Sequence, residues 1–376
     1  MNEEKHHSME DTLPEQTREL LFWYDRYRRH LPWREDPTPY HVWLSEIILQ
    51  QTRVEAGKAY YLRFLAAFPD IASLAAASEE EYLKLWEGLG YYSRVRNLHK
   101  AAVRIMEEYG GEMPHTAKEL QRLPGIGPYS AAAIASIAFG EPVVSVDGNL
   151  LRIFSRLTEY REDVRSQAAK HAAGEYYSRL ISPQRPGDFN QALMDLGASV
   201  CIPNGAPLCE DCPWMRSCAS CGHRTQMLFP VVAARKPRRV ERKTVLLLRR
   251  GDRIAVRKRP DTGLLAGLYE FPSIEGCLGE VQLERVFREM GVLSGADSCG
   301  LQRLPDARHV FTHVEWHMIG YRAMLPPTGE DRADPDGREL LWADSKELSE
   351  KYAVPSAFET YRRIAMDWLR TEAAYL

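Results

Sequence analysis

The residues that decide the fold are Thr116-Ala117-Lys118-Glu119, then Leu123-Pro124-Gly125-Ile126-Gly127-Pro128-Tyr129, then the small-residue run Ser130–Phe139. The first four read as a capping box opening a short helix, with a threonine followed three residues later by a glutamate. The second group breaks that helix at a proline and two glycines. The third starts a new helix at once, in alanine, serine and isoleucine. Two glycines flanking one apolar residue let backbone amides approach a ligand closely, and the dipole of the helix that begins there favours an anion. A plain turn between two core helices would use the same residues.

Working outward, the pattern from about Pro14 to Arg224 is helical. Apolar residues recur at three- and four-residue spacing, as in Tyr40, Trp43, Leu44, Ile47 and Ile48. Turn signals fall at Phe68-Pro69-Asp70, Gly110-Gly111 and Gly140-Glu141-Pro142. Residues 225–240 lose that periodicity and gain proline and charge, which marks a linker. Beyond it, Thr244–Leu248 and Arg253–Arg257 read as two strands around Arg250-Gly251-Asp252. A helix around Leu283–Met290 ends at Gly291, strand-like runs cover Val310–Met324, and a helix closes the chain from Ala357 to Leu369. The expected organisation is a tail (1–13), a mainly α region (14–224), the linker (225–240) and an α+β domain (241–376).

Composition narrows the setting. The 376 residues suffice for two cores, and no apolar run approaches the roughly 18 residues of a membrane span. The polar start MNEEKHHSMEDT has no secretory apolar stretch, so a cytoplasmic protein is expected, nucleoid-associated if bacterial; it is expected to be a monomer. The net charge of −3 excludes no partner, yet twelve Lys or Arg against two acids lie between Arg235 and Arg259. Such a block suits phosphates or a solvated strand edge equally.

Seven cysteines are an odd number in a reducing compartment, which argues for metal ligation over disulfides. Cys201, Cys209, Cys212 and Cys218 fall in the order C-x7-C-x2-C-x5-C, close enough to hold one cubane cluster (loop 201–218). Four thiolates also suit zinc. Cys221 complicates the set by forming a second CxxC pair with Cys218.

Two carboxylates stand in contrasting surroundings. Glu46 has Val42, Trp43, Leu49 and Gln50 three and four positions away, an apolar setting that raises a carboxyl pKa and suits a proton donor. Asp147 follows Val143–Val146 and precedes the helical run Leu150–Leu157, so as an N-cap it would sit in a field favouring its charge. Glycosidic chemistry needs one protonated and one ionised carboxylate. A surface carboxylate and an ordinary cap would give the same local pattern.

These segments resemble known ones. Residues 116–139 resemble the helix-hairpin-helix motif, which binds the DNA backbone. The cysteine run is similar to the [4Fe–4S] loop of the endonuclease III and MutY superfamily, with one extra residue after Cys201. Ser45-Glu46-Ile47-Ile48-Leu49-Gln50-Gln51-Thr52 is similar to the SEVMLQQT segment of the MutY family. Val146-Asp147-Gly148-Asn149 resembles its VDGN, and Trp86-Glu87-Gly88-Leu89-Gly90-Tyr91-Tyr92-Ser93-Arg94 its WxGLGYYxR. Gly263–Pro272 resembles the MutT-like domain of the same family, and Phe311-Thr312-His313 its FSH loop, with threonine for serine.

The resemblance implies a monofunctional glycosylase that removes adenine opposite 8-oxoguanine or guanine in duplex DNA, with one [4Fe–4S] cluster on Cys201, Cys209, Cys212 and Cys218. It implies that Glu46 protonates adenine N7 and that Asp147 stabilises the sugar cation, assisted by Asn149 and Tyr129. Arg34 would help form the base pocket. Gln51, Thr52, Leu89 and Tyr91 would contact DNA and wedge the base stack, and Gly125 and Gly127 would meet its phosphates. Phe311, Thr312 and His313 would read the oxidised guanine. Tyr129 stands where the endonuclease III branch has a nucleophilic lysine, so no Schiff base is expected. Two rival readings are a Nudix-type nucleotide pyrophosphohydrolase and a non-catalytic lesion-binding protein. The Nudix helix ends in REUxEExGU (U apolar); aligned on Gly291-Val292, only Glu289 of its acids is present here. The intact carboxylate pair speaks against the non-catalytic alternative.

Overall fold

The computed structural model describes residues 13–234, 237–289, 300–325 and 338–373. Residues 1–12 of the expected tail, and the Met290–Val292 end of the Nudix alignment, lie outside them. The chain divides into two compact units: 1–76 with 97–234, and 77–96 with 235–376.

The first unit is helical: α1 (Glu15–Tyr27), α2 (Pro32–Glu35), α3 (Pro39–Leu49), α4 (Val54–Ala67) and α5 (Ile71–Ala75) come first. After α6 (Glu79–Leu85), which belongs to the other unit, α7 (Ser93–Glu108) leads back, followed by α8 (Ala117–Leu120) and α9 (Pro128–Phe139). Then come α10 (Gly148–Thr158), α11 (Gln167–Ser178), α12 (Pro186–Ser199) and α13 (Ala219–His223). A continuous core joins α1, α10, α11 and α12 through Leu20, Tyr24, Phe154, Tyr177, Phe189 and Leu193, closed by Trp214 from the cysteine loop. The hairpin forms as expected, with α9 opening at Pro128 rather than Ser130 because proline suits the first helical turn. Gly125 has φ +75, and a Cβ there would meet Asn97 Cβ at 2.6 Å. The capping box is only half made: Thr116 accepts from the Glu119 amide, but the Glu119 carboxylate takes the threonine hydroxyl instead of returning to its amide.

In the second unit, β1 (Arg239–Arg250) runs through the middle of a sheet ordered β3-β2-β1-β6-β5. Its partners are β2 (Arg253–Lys258), β3 (Tyr269–Glu270), β4 (Ser273–Glu275), β5 (Gln302–Val310), β6 (Val314–Met324) and β7 (Leu341–Ala343). The β1–β2 hairpin turns at Gly251-Asp252, as the sequence indicates, and β1 pairs parallel with β6. Residues Thr244–Arg249 are buried on both faces, as a central strand requires. One face packs Tyr361, Ala365 and Leu369 of α16 (Glu359–Ala373), which α15 (Ser345–Glu350) precedes; the other packs Leu283 and Phe287 of α14 (Glu280–Glu289). Pro305 sits where the β5–β6 register slips between Leu304 and Ala307, where a missing N–H is tolerated.

Within the expected helical region 14–224, Ala77–Arg96 groups with the C-terminal unit. Arg96 donates to the Ala266 carbonyl at 2.7 Å, Lys84 to the Tyr352 carbonyl at 3.2 Å, and Arg362 pairs with Glu87 at 3.1 Å. The described members of the basic block lie on β1 and β2 and next to them, where strand alternation sends them to different sides. Arg249 is buried against the Trp368 carbonyl, and Arg257 lies on the fully buried Glu270 at 3.0 Å.

Glu270 also accepts from Arg259 and Arg338. Glu270→Ala strands the buried Arg257 cation and is expected to destabilise the second unit by about 3–5 kcal/mol, read as a lowered denaturation midpoint. A shift no larger than that of an exposed Glu→Ala control would refute the assignment.

Candidate active site

Helix α3 presents Glu46 on its inner face, 7% exposed, because Val42, Trp43, Ile47 and Ile48 around it are core residues. Asp147 caps α10: its Oδ1 accepts from the amides of Asn149 and Leu150, each at 2.8 Å, and its Oδ2 from Asn149 Nδ2 at 2.9 Å. The strand-like approach to Asp147 is pinned by Asn190, whose carboxamide accepts from the Ser145 amide at 3.1 Å and donates to the Val143 carbonyl at 2.8 Å. Tyr129, in the first turn of α9, donates its hydroxyl to the Glu46 carboxylate.

Arg34, Glu46, Gln51, Thr52, Tyr129, Asp147 and Asn149, dispersed over more than a hundred positions, line one cleft of about 440 Å³. Burial pushes the Glu46 pKa up to about 7; the Tyr129 hydrogen bond pulls against it and the nearby Asp147 charge adds to it. Such a group is half protonated near neutrality and suits general acid work. Asp147 departs from expectation. Its capping hydrogen bonds do lower its pKa, but burial outweighs them and the net shift is upward. The Tyr129 hydroxyl is raised well above its ordinary value, by burial first and then by the two carboxylates, so it stays protonated.

Several residues that sequence reasoning did not assign complete the site. Asp195, fully buried, accepts two hydrogen bonds from Arg34 (2.7 and 2.9 Å) and two side-chain ones from Arg29 (2.8 and 2.6 Å). Burial alone would raise its pKa, but the two guanidiniums hold it below the usual carboxylate range. They thereby fix Arg34 in the cleft wall, with its Nε buried and without a partner. Gln191 lines the same wall. Arg152 donates to Asn149 Oδ1 at 2.9 Å, to the Gly197 carbonyl at 2.6 Å and to the Cys201 carbonyl at 2.8 Å. A run such as Asn190-Gln191 and Asp195 on one helix signals a buried polar face, but its partners are distant in sequence.

The remaining expected residues lie elsewhere. Gly127 is the N-cap of α9 and Gly125 lies in the turn before it. Leu89 and Tyr91 belong to the second unit, where Gly88, Gly90 and Tyr91 all have positive φ (96°, 69° and 47°). Arg94 braces this loop by donating to the Leu89 and Gly90 carbonyls, each at 3.2 Å, with its guanidinium 5.5 Å from the Tyr91 ring. Phe311, Thr312 and His313 form the tip between β5 and β6. The Tyr91 and Thr312 hydroxyls are 2.8 Å apart, and the Phe311 ring is wedged edge-on between His309 (4.6 Å) and Trp316 (4.9 Å).

Cys201, Cys209, Cys212, Cys218 and Cys221 are free thiols lining one small pocket with Leu196 and Trp214. Arg156 donates to Cys201 Sγ at 3.2 Å and Gln226 to Cys209 Sγ at 3.6 Å. Among the described residues, no three His, Cys, Asp or Glu side chains converge as a single bound ion would require. The thiols border a shared space without meeting at a point.

Comparison with known proteins agrees with this geometry. Residues 44–178 match the family model of the HhH-GPD superfamily base excision DNA repair protein, and 244–363 that of the NUDIX domain. The chain is 36% identical to the adenine DNA glycosylase of Mus musculus, over 91% of this chain and 77% of that one. It is 35% identical to the adenine DNA glycosylase of Homo sapiens, over 91% and 73%. Among solved structures, a thermostable thymine-DNA glycosylase superposes with a TM-score of 0.51 at 27% identity, covering 56% of this chain and 97% of that one.

Glu46 has a folded pKa near 7 against an ordinary 4.5. Between those values the folded chain holds a proton that the unfolded chain releases, so stability falls as pH rises through the window. Glu46→Gln removes that dependence. Its denaturation midpoint should exceed the wild-type value at about pH 8 and converge with it at about pH 4. A difference that does not change with pH would show that Glu46 is not buried as described.

Proposed function

The chain belongs to the adenine DNA glycosylase family, enzymes that hydrolyse the N-glycosyl bond of adenine in duplex DNA during base-excision repair, and from that premise we propose that this enzyme acts on adenine paired with 8-oxoguanine and stops at base removal. The observation that carries the mechanism is the single cleft shared by Glu46, Tyr129, Asp147 and Asn149. Adenine leaves poorly as an anion; protonation at N7 makes it a neutral leaving group. Glu46, half protonated near neutrality, supplies that proton. Positive charge then develops on the sugar, and Asp147 lies where it can stabilise the cation or bond to it transiently. Asn149 keeps the Asp147 carboxylate in one orientation through two hydrogen bonds, at 2.8 and 2.9 Å.

Monofunctional chemistry follows from Tyr129. A phenol has no amine to condense with the sugar aldehyde, so strand cleavage through a Schiff base has no nucleophile at this position. Discrimination is assigned to the tip Phe311-Thr312-His313, together with Tyr91. Thr312 retains the hydroxyl of the family's serine, and its hydrogen bond with Tyr91 at 2.8 Å supports a joint role in reading the partner base. The enzyme acts as a monomer in the cytoplasm on this reading.

A [4Fe–4S] cluster fits the cysteine loop better than zinc does, because thiols spaced around a common pocket suit a multi-atom body, whereas one ion needs them to converge. Cys201, Cys209, Cys212 and Cys218 would hold it. Bound there, the cluster would supply rigidity to the loop.

Two measurements test this reading. In single-turnover assays, wild type should release adenine from a duplex with adenine opposite 8-oxoguanine and leave an adenine–thymine duplex intact. Asp147→Asn and Glu46→Gln should each slow release by about 100-fold or more. No release by folded wild type, or full activity in both variants, would refute the assignment. Separately, alanine substitution of Cys201, Cys209, Cys212 or Cys218 should lower bound iron and the cluster's visible absorbance, whereas Cys221→Ala should retain both. Iron loss with Cys221→Ala but not with Cys201→Ala would replace one ligand by the other.

A further inference from the structure

Behind the catalytic cleft lies a second cavity of about 580 Å³, within the usual range for small-molecule sites. The two share Arg29, Leu31, Arg34, Ile137 and Gln191 as lining residues. The second cavity touches none of Glu46, Tyr129, Asp147, Gln51 or Thr52, all of which line the cleft alone. One wall therefore separates them, made of two guanidiniums, a carboxamide and two aliphatic side chains. The lining of the second cavity includes the exposed Pro37 and Gln184, which open it to water.

This arrangement answers a problem that base flipping creates. A flipped adenine enters from the side that the duplex occupies, and the abasic duplex still covers that side when the glycosidic bond has broken. Water must then enter a cleft that the excised base still fills. We infer that the excised adenine, a neutral purine, passes through the shared wall into the second cavity and leaves by its outer rim while the abasic duplex is still bound. This rests on the reading of the cleft as the pocket for the flipped base.

The chemistry of the wall suits that passenger. Gln191 carries a donor and an acceptor on one carboxamide, which matches the N6 amino group and adjacent ring nitrogen of adenine. The Arg34 Nε is a buried donor without a partner, and its guanidinium lies 5.7 Å from the ring of Tyr24, a further lining residue of the second cavity. Leu31 and Ile137 offer apolar surface to the faces of a flat heterocycle. Asp195 holds Arg34 in place, so the wall has a fixed frame and movement falls to Gln191, which is only half-buried.

The test uses a duplex with radiolabelled adenine opposite 8-oxoguanine and follows two events in one turnover. Bond cleavage is read by alkaline scission at the abasic site, and release by rapid filtration that separates free from protein-bound adenine. Gln184→Trp and Pro37→Trp place a large ring on the exposed rim, outside the cleft. Cleavage should keep its wild-type rate in both, while free adenine should appear on the order of tenfold later and follow duplex dissociation. Wild-type release kinetics in both folded variants would overturn the inference. As a second arm, labelled adenine should exchange into wild-type enzyme already bound to an abasic duplex, and failure of that exchange would overturn it equally. Absence of cleavage by wild type would instead refute the cleft as the base pocket.

Discussion

Helix α10 is the constraint on which the catalytic unit depends. Its N-cap is Asp147, its first turn carries Asn149, and Arg152 and Arg156 follow four residues apart on one face. Arg152 ties Asn149 to the carbonyls of Gly197 and Cys201. Arg156 reaches Cys201 Sγ at 3.2 Å and the Ile202 carbonyl at 3.0 Å. Both arginines are nearly fully buried, where their desolvation cost is large unless carbonyls and thiols satisfy them. The cysteine loop and the candidate catalytic carboxylate are thus held by the same rod. A loop that loses its shape withdraws acceptors from Arg152, and Asn149 loses the partner that orients it. Gly197 permits this closeness, since a Cβ there would meet Asn149 Cβ at 2.6 Å.

Three buried acids in this unit experience the same desolvation and end in different states. Glu46 has one neutral donor, the Tyr129 hydroxyl, and burial prevails, to about 7. Asp147 has two amides and a carboxamide, and burial still prevails, though against stronger opposition. Asp195 has two guanidiniums, and their charge reverses the outcome. Neutral donors, and the charges of Arg34 on Glu46 and of Arg152 on Asp147, moderate the cost of burying a carboxylate, whereas two guanidiniums hydrogen-bonded directly to Asp195 overturn it. Glu46 in the cleft can therefore hold a proton at neutral pH, while Asp195 behind it stays ionised and anchors Arg29 and Arg34.

Much of this was legible from local pattern. Leu123–Tyr129 announces its hairpin, Asp147 its capping role and Glu46 its apolar setting, because each depends on residues within four positions. The turn at Gly251-Asp252 is equally local. What could not be read depends on contacts across the fold. Nothing near Asp195 in sequence shows that Arg29 and Arg34, some 160 positions away, converge on it. Asn190 and Arg152 act through backbone carbonyls, which carry no residue signature. The grouping of Ala77–Arg96 with the C-terminal unit hangs on single hydrogen bonds such as Arg96 to Ala266. The basic block stays open in sequence for a related reason: a run of charge says nothing about which side of a strand each member takes.

The identity of residue 129 also determines what Glu46 can be. Tyr129 is buried and its pKa is raised well above the ordinary value, so it stays a neutral donor near neutral pH. A neutral donor steadies Glu46 without fixing its charge. An ammonium in the same place would act on Glu46 as Arg34 and Arg29 act on Asp195, pulling its pKa down and leaving it ionised at neutrality. An ammonium hydrogen-bonded to Glu46 and a protonated Glu46 therefore work against each other. A neutral phenol at position 129 is thus compatible with a Glu46 that holds its proton near neutrality, and the side chain that sets this sits in the first turn of α9.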